Sequence, residues 1–352
     1  STDGNVKNAA YEIIDDQGAI IQLEHKPERI LTLAMGTDSI VLGILPEEKL
    51  IAINSLADDP VSSNIVDKAN RITRKIKNPS AEEILSLKPD VVFSKGGFVS
   101  VPVVLAASAK KIPCIIHESD MTPGLANKIS IPKASKVCCN FAETMENLPA
   151  GKAVVTGTPI RQELFAGDAV KAMTFCGFTE VRPTLLVIGG SSGSVRVNEA
   201  IRSCLPELTK KYNVIHLCGK GNIDESYNGT AHYVQFDYIK QELADLLALA
   251  DIVVSRAGAN AICELLALRK PSVLIPLSLA ASRGDQILNA QSFDKRGYAK
   301  LLLEEDLTNE SLLAAVNEVY ENHDHYIKAM ELSTKSDAIT MICDMIDELA
   351  NK

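Results

Sequence analysis

"AEEILSLKPDVVFSKGGFVSVPVVLAA" (residues 81–107) decides the fold. Its first part has helical spacing, and "DVVFS" (90–94) is a short apolar run after a Lys-Pro-Asp turn. A second helical segment follows near 99–110. A brief apolar run bounded by turn signals suits a strand buried on both faces, as parallel sheets require. Upstream, "ILTLA" (30–34) and "LIAIN" (50–54) have the same character, with helical segments near 37–44 and 80–87. This β-α-β-α-β series implies a parallel sheet with right-handed crossovers. Ahead of it, "YEIIDDQGAIIQLE" (11–24) turns at Asp16-Gln17-Gly18 and reads as a β-hairpin.

Downstream, "CIIHE" (114–118), "KVCCN" (136–140) and "AVVTG" (153–157) add strands to the first series. A second series opens at "TLLVIGG" (184–190). It runs through "NVIHLCG" (213–219), "HYVQF" (232–236), "DIVVSRAG" (251–258) and "SVLIPL" (272–277), and the chain ends in helical periodicity from about 308 to 350. The expected fold is α/β, with two Rossmann-like domains joined near 158–165. The expected bounds are 1–157, 158–330 and a C-terminal helix in 331–352 that packs back on the first domain. Open α/β sheets bind ligands at the carboxyl ends of their strands, so the loops there are the places to search for chemistry.

The totals agree with a globular chain. It has 352 residues, 46% hydrophobic and 23% charged, which suits two α/β domains. A net charge of -9 argues against a nucleic-acid binder, whose phosphate contacts need a basic surface. The eight cysteines lie mostly inside apolar patterns, without CxxC pairs or spaced Cys/His sets. They read as small buried hydrophobes in a reducing compartment, and no metal is expected. No apolar run reaches the roughly 18 residues that span a bilayer. The polar start "STDGNVKNAA" reads as a mature or trimmed terminus.

Three loops of the second series carry chemistry. "LLVIGGSSGSVRVNEAI" (185–201) is strand, glycine-rich turn and helix. Gly189, Gly190 and Gly193 let backbone approach a ligand, and Ser191, Ser192 and Ser194 add hydroxyls. The helix N-terminus behind them suits a diphosphate; the plain alternative is a turn shaped for geometry alone. "DIVVSRAGANAICELLALRKPSVLIP" (251–276) repeats the pattern, with Glu264 inside the helix. That carboxylate reads either as a grip on two sugar hydroxyls or as a solvated helix residue. "SRGDQILNAQ" (282–291) supplies Asp285, Gln286 and Asn289, which read as sugar ligands or as a helix start with Asp285 near its N-cap.

Taken together, these loops resemble the GT-B glycosyltransferase family that adds N-acetylglucosamine to lipid I in peptidoglycan synthesis, the MurG-like family. The resemblance runs from about "KPDVVFSKGGFVSVP" to the C-terminus. It includes "PCIIHESDMTPGLANK" (113–128), "TGTPIR" (156–161), "GGSSGS" (189–194), "SRAGANAICEL" (255–265) and "RGDQILNA" (283–290). It implies a UDP-N-acetylglucosamine-binding second domain and inverting transfer without an essential metal or cofactor. It implies that Arg161 and the loop of Gly190, Ser191 and Ser192 face the diphosphate. The backbone at Ile239 would meet uracil and Glu264 the ribose, with Gln286 and Asn289 on the sugar. Ala259 and Asn260 join the donor set, and His117 and Glu118 are acceptor-side candidates. The implied partners are a UDP-sugar and a lipid-linked acceptor at the membrane surface. The implied place is cytoplasmic or peripheral on the inner face. Oligomeric state stays open.

The family's first strand ends in a loop of the form GGGTxGH, whose histidine is its proposed base. Here the slot after "ILTLA" reads "MGTDSIVLG" (35–43), with no histidine and one glycine before the helix. Asp38, beside Thr37 and Ser39, reads as a helix N-cap rather than a substitute base. His25 reads as surface. Residues 1–93 resemble the N-terminal lobe of an iron-siderophore or haem solute-binding protein of an ABC importer, by "PERILTLAMGTDSIVLGILPEEKLIAI" and "PSAEEILSLKPDVVF". That lobe would be of extracytoplasmic origin. The expectation is a chimera joined within residues 86–95, with a hybrid first sheet (1–93 and 94–157) and weak or absent transfer. A working hexosyltransferase and a siderophore-binding module are the alternatives. The family's membrane acceptor implies an apolar and basic patch on the first domain, to which "GGFVSVPVVLAA" is apolar enough to contribute, but it reads chiefly as a buried helix.

Overall fold

The computed structural model describes residues 11–14, 20–23, 29–32, 38, 42, 47–58, 65–76, 80–190, 194–239, 241–333 and 337–351. It divides into two compact units, Ser1–Pro159 with Ser336–Lys352, and Ile160–Lys335.

The first unit holds an antiparallel hairpin of β1 (Tyr11–Ile14) and β2 (Ile20–Leu23), paired Tyr11↔Leu23 through Ile14↔Ile20. Its main sheet comprises β3 (Ile30–Thr32), β4 (Leu50–Asn54), β5 (Lys75–Ile76), β6 (Val91–Ser94), β7 (Cys114–Glu118), β8 (Lys136–Cys139) and β9 (Ala153–Val155). Their order is β5-β4-β3-β6-β7-β8-β9, and every pairing is parallel. The order reverses between β3 and β6, so the opening stretch lies at the middle of the sheet.

All four residues of β6 are buried, because the strand has a packed layer on each face. Val91 and Phe93 join Ile30, Ile115 and Cys138 under Ile342, Met345 and Ile346 of the helix Ala338–Ala350. Val92 joins Leu31, Cys114, Ile116 and Val137 under Val103, Val104 and Ala107 of the helix Val101–Ala109. Alternate residues thus feed opposite layers, and the sequence shows a continuous apolar run. The segment "GGFVSVPVVLAA" departs from the buried helix expected of it. One face of the helix is in the core, but Phe98 is 83% exposed and Val99 and Leu105 also reach solvent.

In the second unit β10 (Thr184–Ile188), β11 (Asn213–Leu217), β12 (Tyr233–Phe236), β13 (Ile252–Ser255), β14 (Ser272–Leu274) and β15 (Lys300–Leu301) form a parallel sheet of order β12-β11-β10-β13-β14-β15. Here the order reverses between β10 and β13. Val197, Ile201, Leu205 and Leu208 of the helix Val195–Lys211 cover one face, together with Leu312, Val316 and Val319 of the helix Asn309–Glu321. The architecture is therefore two parallel-sheet Rossmann-like units, as the strand pattern implies. The two-residue edge strands β5 and β15 were missed, since two residues leave no period to read. Among the described residues no helix is long and apolar enough to cross a membrane.

Candidate functional site

The carboxyl ends of β10, β13 and β14 are followed in the chain by the helices Val195–Lys211, Ala259–Ala267 and Asp285–Lys295. After β10, Gly189 is buried and Gly190 is exposed at φ +91°, a conformation that only glycine adopts without strain. Ser191, Ser192 and Gly193 lie outside the described residues. Ser194 caps the helix Val195–Lys211, its Oγ accepting from the Val197 N–H at 3.3 Å. Seventeen residues of aligned peptides place a partial positive charge at this end.

Arg256 fixes that cap. Its Nη2 donates to Ser194 Oγ at 2.6 Å, and its Nη1 donates to the carbonyls of Ile275 at 3.0 Å and Pro276 at 3.2 Å. It also pairs with Glu304, and its side chain is only 11% exposed. One guanidinium thus ties the tips of β13 and β14 to the start of the helix after β10. Sequence reasoning did not single out Arg256. The available signal was an arginine directly after the buried strand β13, where a cation is stable only when several acceptors meet it.

Glu264 lies in the helix Ala259–Ala267 and meets Arg161 across 103 residues of chain. Its Oε1 accepts from Arg161 Nε at 3.2 Å and Nη2 at 3.0 Å, with side chains 23% and 35% exposed. Plain solvation does not describe it. In the same helix Ala259 is buried and Asn260 exposed. In the helix Asp285–Lys295, Gln286 Oε1 accepts from the N–H groups of Ala257 at 3.3 Å and Leu277 at 3.1 Å. Asn289 Nδ2 donates to Ala257 O at 3.2 Å. The structure therefore gathers Gln286 and Asn289 on the loop after β13. Asp285 is the first residue of that helix, next to its N-cap Gly284, as the helix-start reading has it, and it accepts from Arg283 at 2.6 Å. Ile239, half-buried, follows β12 by three residues.

A buried polar cluster supports the loop side of β11. Asn198 Nδ2 donates to Cys218 O at 2.9 Å, while its Oδ1 lies 2.9 Å from His216 Nε2. An amide oxygen only accepts, so His216 carries its proton on Nε2, and Nδ1 accepts from Tyr233 Oη at 3.0 Å. Burial, with Arg202 nearby, pushes the His216 pKa down to about 3.

In the first unit the candidates are enclosed. Glu118 ends β7 and is buried. It accepts from the Asp120 N–H at 2.9 Å, the Gly124 N–H at 3.1 Å and Asn127 Nδ2 at 2.7 Å, so it staples the following loop. Burial raises its pKa against the pull of those bonds. His117 is fully buried; its Nε2 donates to Gly157 O at 3.0 Å, and Ser119 Oγ lies 3.4 Å from Nδ1. Burial first, and Lys95 second, push its pKa down to about 3. Asp38 is likewise buried. It accepts from Thr32 Oγ1 and, at 3.0 Å, from the Asn54 N–H, and burial lifts its pKa to about 6. Its described partners stand at the ends of β3 and β4, where an N-cap was expected. His25 and most of residues 35–43 lie outside the described residues.

Among the described residues no group of three or more His, Cys, Asp or Glu side chains is placed to hold a metal. Six of the eight cysteines are buried, and Cys263 and Cys343 are partly so.

Comparison with known proteins follows the same division. The profile of the glycosyltransferase family 28 C-terminal domain matches residues 184–342, and that of the family 28 N-terminal domain matches residues 22–139. The second match runs across 86–95, where the sequence suggested a join. A UDP-N-acetylglucosamine–N-acetylmuramyl-(pentapeptide) pyrophosphoryl-undecaprenol N-acetylglucosamine transferase of Lachnoclostridium phytofermentans is 62% identical over 267 residues, 76% of this chain and 75% of its own. Its namesake from Lachnospira eligens is 60% identical over 262 residues, 74% of each chain. Among solved structures, Acinetobacter baumannii MurG aligns with TM-score 0.68 at 22% identity, over 92% of this chain and 100% of that one. The S. aureus MnaA–UDP structure aligns with TM-score 0.67 at 12% identity, over 92% and 97%. At those identities the structures speak for the fold alone.

Proposed function

The chain belongs to the glycosyltransferase family 28 group of the UDP-N-acetylglucosamine–N-acetylmuramyl-(pentapeptide) pyrophosphoryl-undecaprenol N-acetylglucosamine transferases, and on that premise we propose that its second unit binds UDP-N-acetylglucosamine. One observation carries the reading. Arg161 meets Glu264, and Gln286 and Asn289 meet the loop after β13, all within the single unit 160–335. In this reading the diphosphate sits at Gly190, Ser191 and Ser192 before the capped helix, with Arg161 beside it. Glu264 accepts from the ribose hydroxyls, Ile239 backbone meets uracil, and Ala259 and Asn260 border the donor. Gln286 and Asn289 read the sugar.

The chemistry is displacement at the anomeric carbon. An acceptor hydroxyl oxygen forms the new C–O bond as the bond to UDP breaks, and the electron pair leaves with the diphosphate. The helix N-terminus and Arg161 stabilise the charge that develops there. The acceptor proposed is a lipid-linked sugar at the inner membrane face. The proton of its hydroxyl needs a base, and "MGTDSIVLG" offers no histidine. Asp38, the carboxylate within that slot, is enclosed between Thr32 and Asn54. His117 and Glu118 are tied to backbone in the same way and would shape the acceptor loops rather than react. We therefore propose donor binding with weak or absent transfer.

The hybrid origin of residues 1–93 rests on the resemblance of the quoted segments. The family 28 profile from residue 22 onward favours a continuous transferase-type domain over a solute-binding lobe.

Calorimetry with UDP-N-acetylglucosamine, UDP and a ferric siderophore, followed by a transfer assay on a lipid-linked acceptor, tests these statements. The expected result is binding of both nucleotides, none of the siderophore, and little turnover. Robust turnover overturns the impairment, and siderophore binding without UDP binding overturns the nucleotide reading. Replacing Glu264 by Ala should weaken UDP binding about tenfold or more, because hydrogen bonds to a charged group are lost.

A further inference from the structure

The Arg161–Glu264 pair joins two groups that the donor reading assigns to different parts of the ligand, the diphosphate and the ribose. From its geometry we infer that Arg161 is a positioning residue for Glu264, so that recognition of the sugar hydroxyls and of the diphosphate is coupled through one ion pair. The inference rests on the UDP-binding reading above and goes beyond it.

Three observations carry it. First, Nε and Nη2, neighbours on one edge of the guanidinium, converge on the same oxygen, Glu264 Oε1, at 3.2 and 3.0 Å. Two charged N–H donors closing as a fork on one oxygen anchor that end of the carboxylate beside the guanidinium. Second, the pair is half-buried, at 35% and 23% exposure, so water competes for it less than for a surface pair. Third, the two residues come from distant stretches. Arg161 precedes the short turn Gln162–Ala166, and Glu264 stands in the helix behind β13, so helix geometry alone does not hold the carboxylate in place.

A glutamate that must be ordered by its ligand loses side-chain entropy on binding. Ordered beforehand by Arg161, it meets a vicinal diol without that loss. The guanidinium is planar with five N–H donors, so its opposite edge, Nη1, can meet a phosphate oxygen while Nε and Nη2 hold Glu264. Removing Arg161 then weakens two contacts, its own with the diphosphate and Glu264's with the ribose.

The test compares UDP with 2′,3′-dideoxy-UDP, which keeps the diphosphate and lacks both hydroxyls. In the unaltered protein the loss of the hydroxyls should weaken binding about tenfold or more, the usual range for hydrogen bonds to a carboxylate. In Arg161→Ala, UDP binds more weakly and the ratio between the two ligands should shrink to about twofold, as expected when an unordered carboxylate loses most of its preference. Arg161→Lys keeps a charge for the phosphate without the fork, so its affinity stays measurable and its ratio should also fall. Glu264→Gln should lower the ratio with Arg161 in place. Thermal melts of each variant confirm folding. If the ratio in Arg161→Lys and Arg161→Ala equals that of the unaltered protein, Arg161 only touches phosphate and the positioning role is overturned. If the unaltered protein does not bind UDP, the donor reading itself falls, and this inference with it.

Discussion

The carboxyl ends of the two sheets carry similar polar side chains in different states. In the second unit Arg161, Glu264 and Gln286 are half-buried and touch one another or nearby loop N–H groups. In the first unit Asp38, His117 and Glu118 are buried, and their polar atoms meet backbone and neighbouring side chains of the same unit. The difference teaches that residue type alone does not make a ligand group. A carboxylate with three protein donors shapes a loop; one held from one side at partial exposure can meet a diol.

Acid should produce the largest effect and sharpen this contrast. His117 and His216 both have pKa values pushed from 6.5 to about 3, so each favours the native state at pH above 6.5 and loses that contribution as pH falls toward 3. Asp38 has the opposite sign. Its pKa is lifted from 3.8 to about 6, so its contribution is full below 3.8 and is lost as pH rises through 6. The first unit holds both kinds, whereas among the described residues of the second His216 is opposed by no such aspartate. Hydrogen exchange resolved by unit, corrected for intrinsic rates between pH 4 and 7, should show steeper acid destabilisation in residues 160–335. Equal slopes would break the contrast.

Next in size is Gly167→Ala. An added Cβ would lie 2.0 Å from the Ala244 carbonyl oxygen in the helix Leu243–Leu249, so backbone must move. The second unit should lose about 3 kcal/mol, the upper range for overpacking, read by urea unfolding. In the first unit, Glu118→Ala orphans two backbone N–H groups and the Asn127 amide, and should cost about 2 kcal/mol. UDP affinity should stay unchanged there, since the loop belongs to the other unit; a loss of affinity would place Glu118 with the ligand groups. Smallest is Ser194→Ala, which removes the cap of the helix Val195–Lys211 and should cost about 1 kcal/mol. UDP affinity should fall as well, because the Arg256 contact to that cap goes with it.

Much of this was legible in the chain. Buried parallel strands show as continuous apolar runs, and "LIAIN" and "CIIHE" coincide with β4 and β7 residue for residue. The edge strands Lys75–Ile76 and Lys300–Leu301 were not legible, being too short for any period. Arg256 stood in a quoted motif, but its four partners at Ser194, Ile275, Pro276 and Glu304 are scattered over more than a hundred residues. Asp38 illustrates the converse. Local sequence reads as a cap, whose partners lie outside the described residues, and the fold brings Asn54, sixteen residues on, to its carboxylate.

Sequence by itself determined that two parallel sheets form and where their loops fall, because burial on both faces imposes a local pattern. It determined Gly190 and Ser194 after β10 for a similar local reason, since a positive φ favours glycine and a helix N-cap favours serine. Only the tertiary structure decided which polar side chains are enclosed and which remain at the surface of a site. That choice depends on partners brought together by folding, and the free energy of a buried charge is set by those partners rather than by its neighbours in the chain.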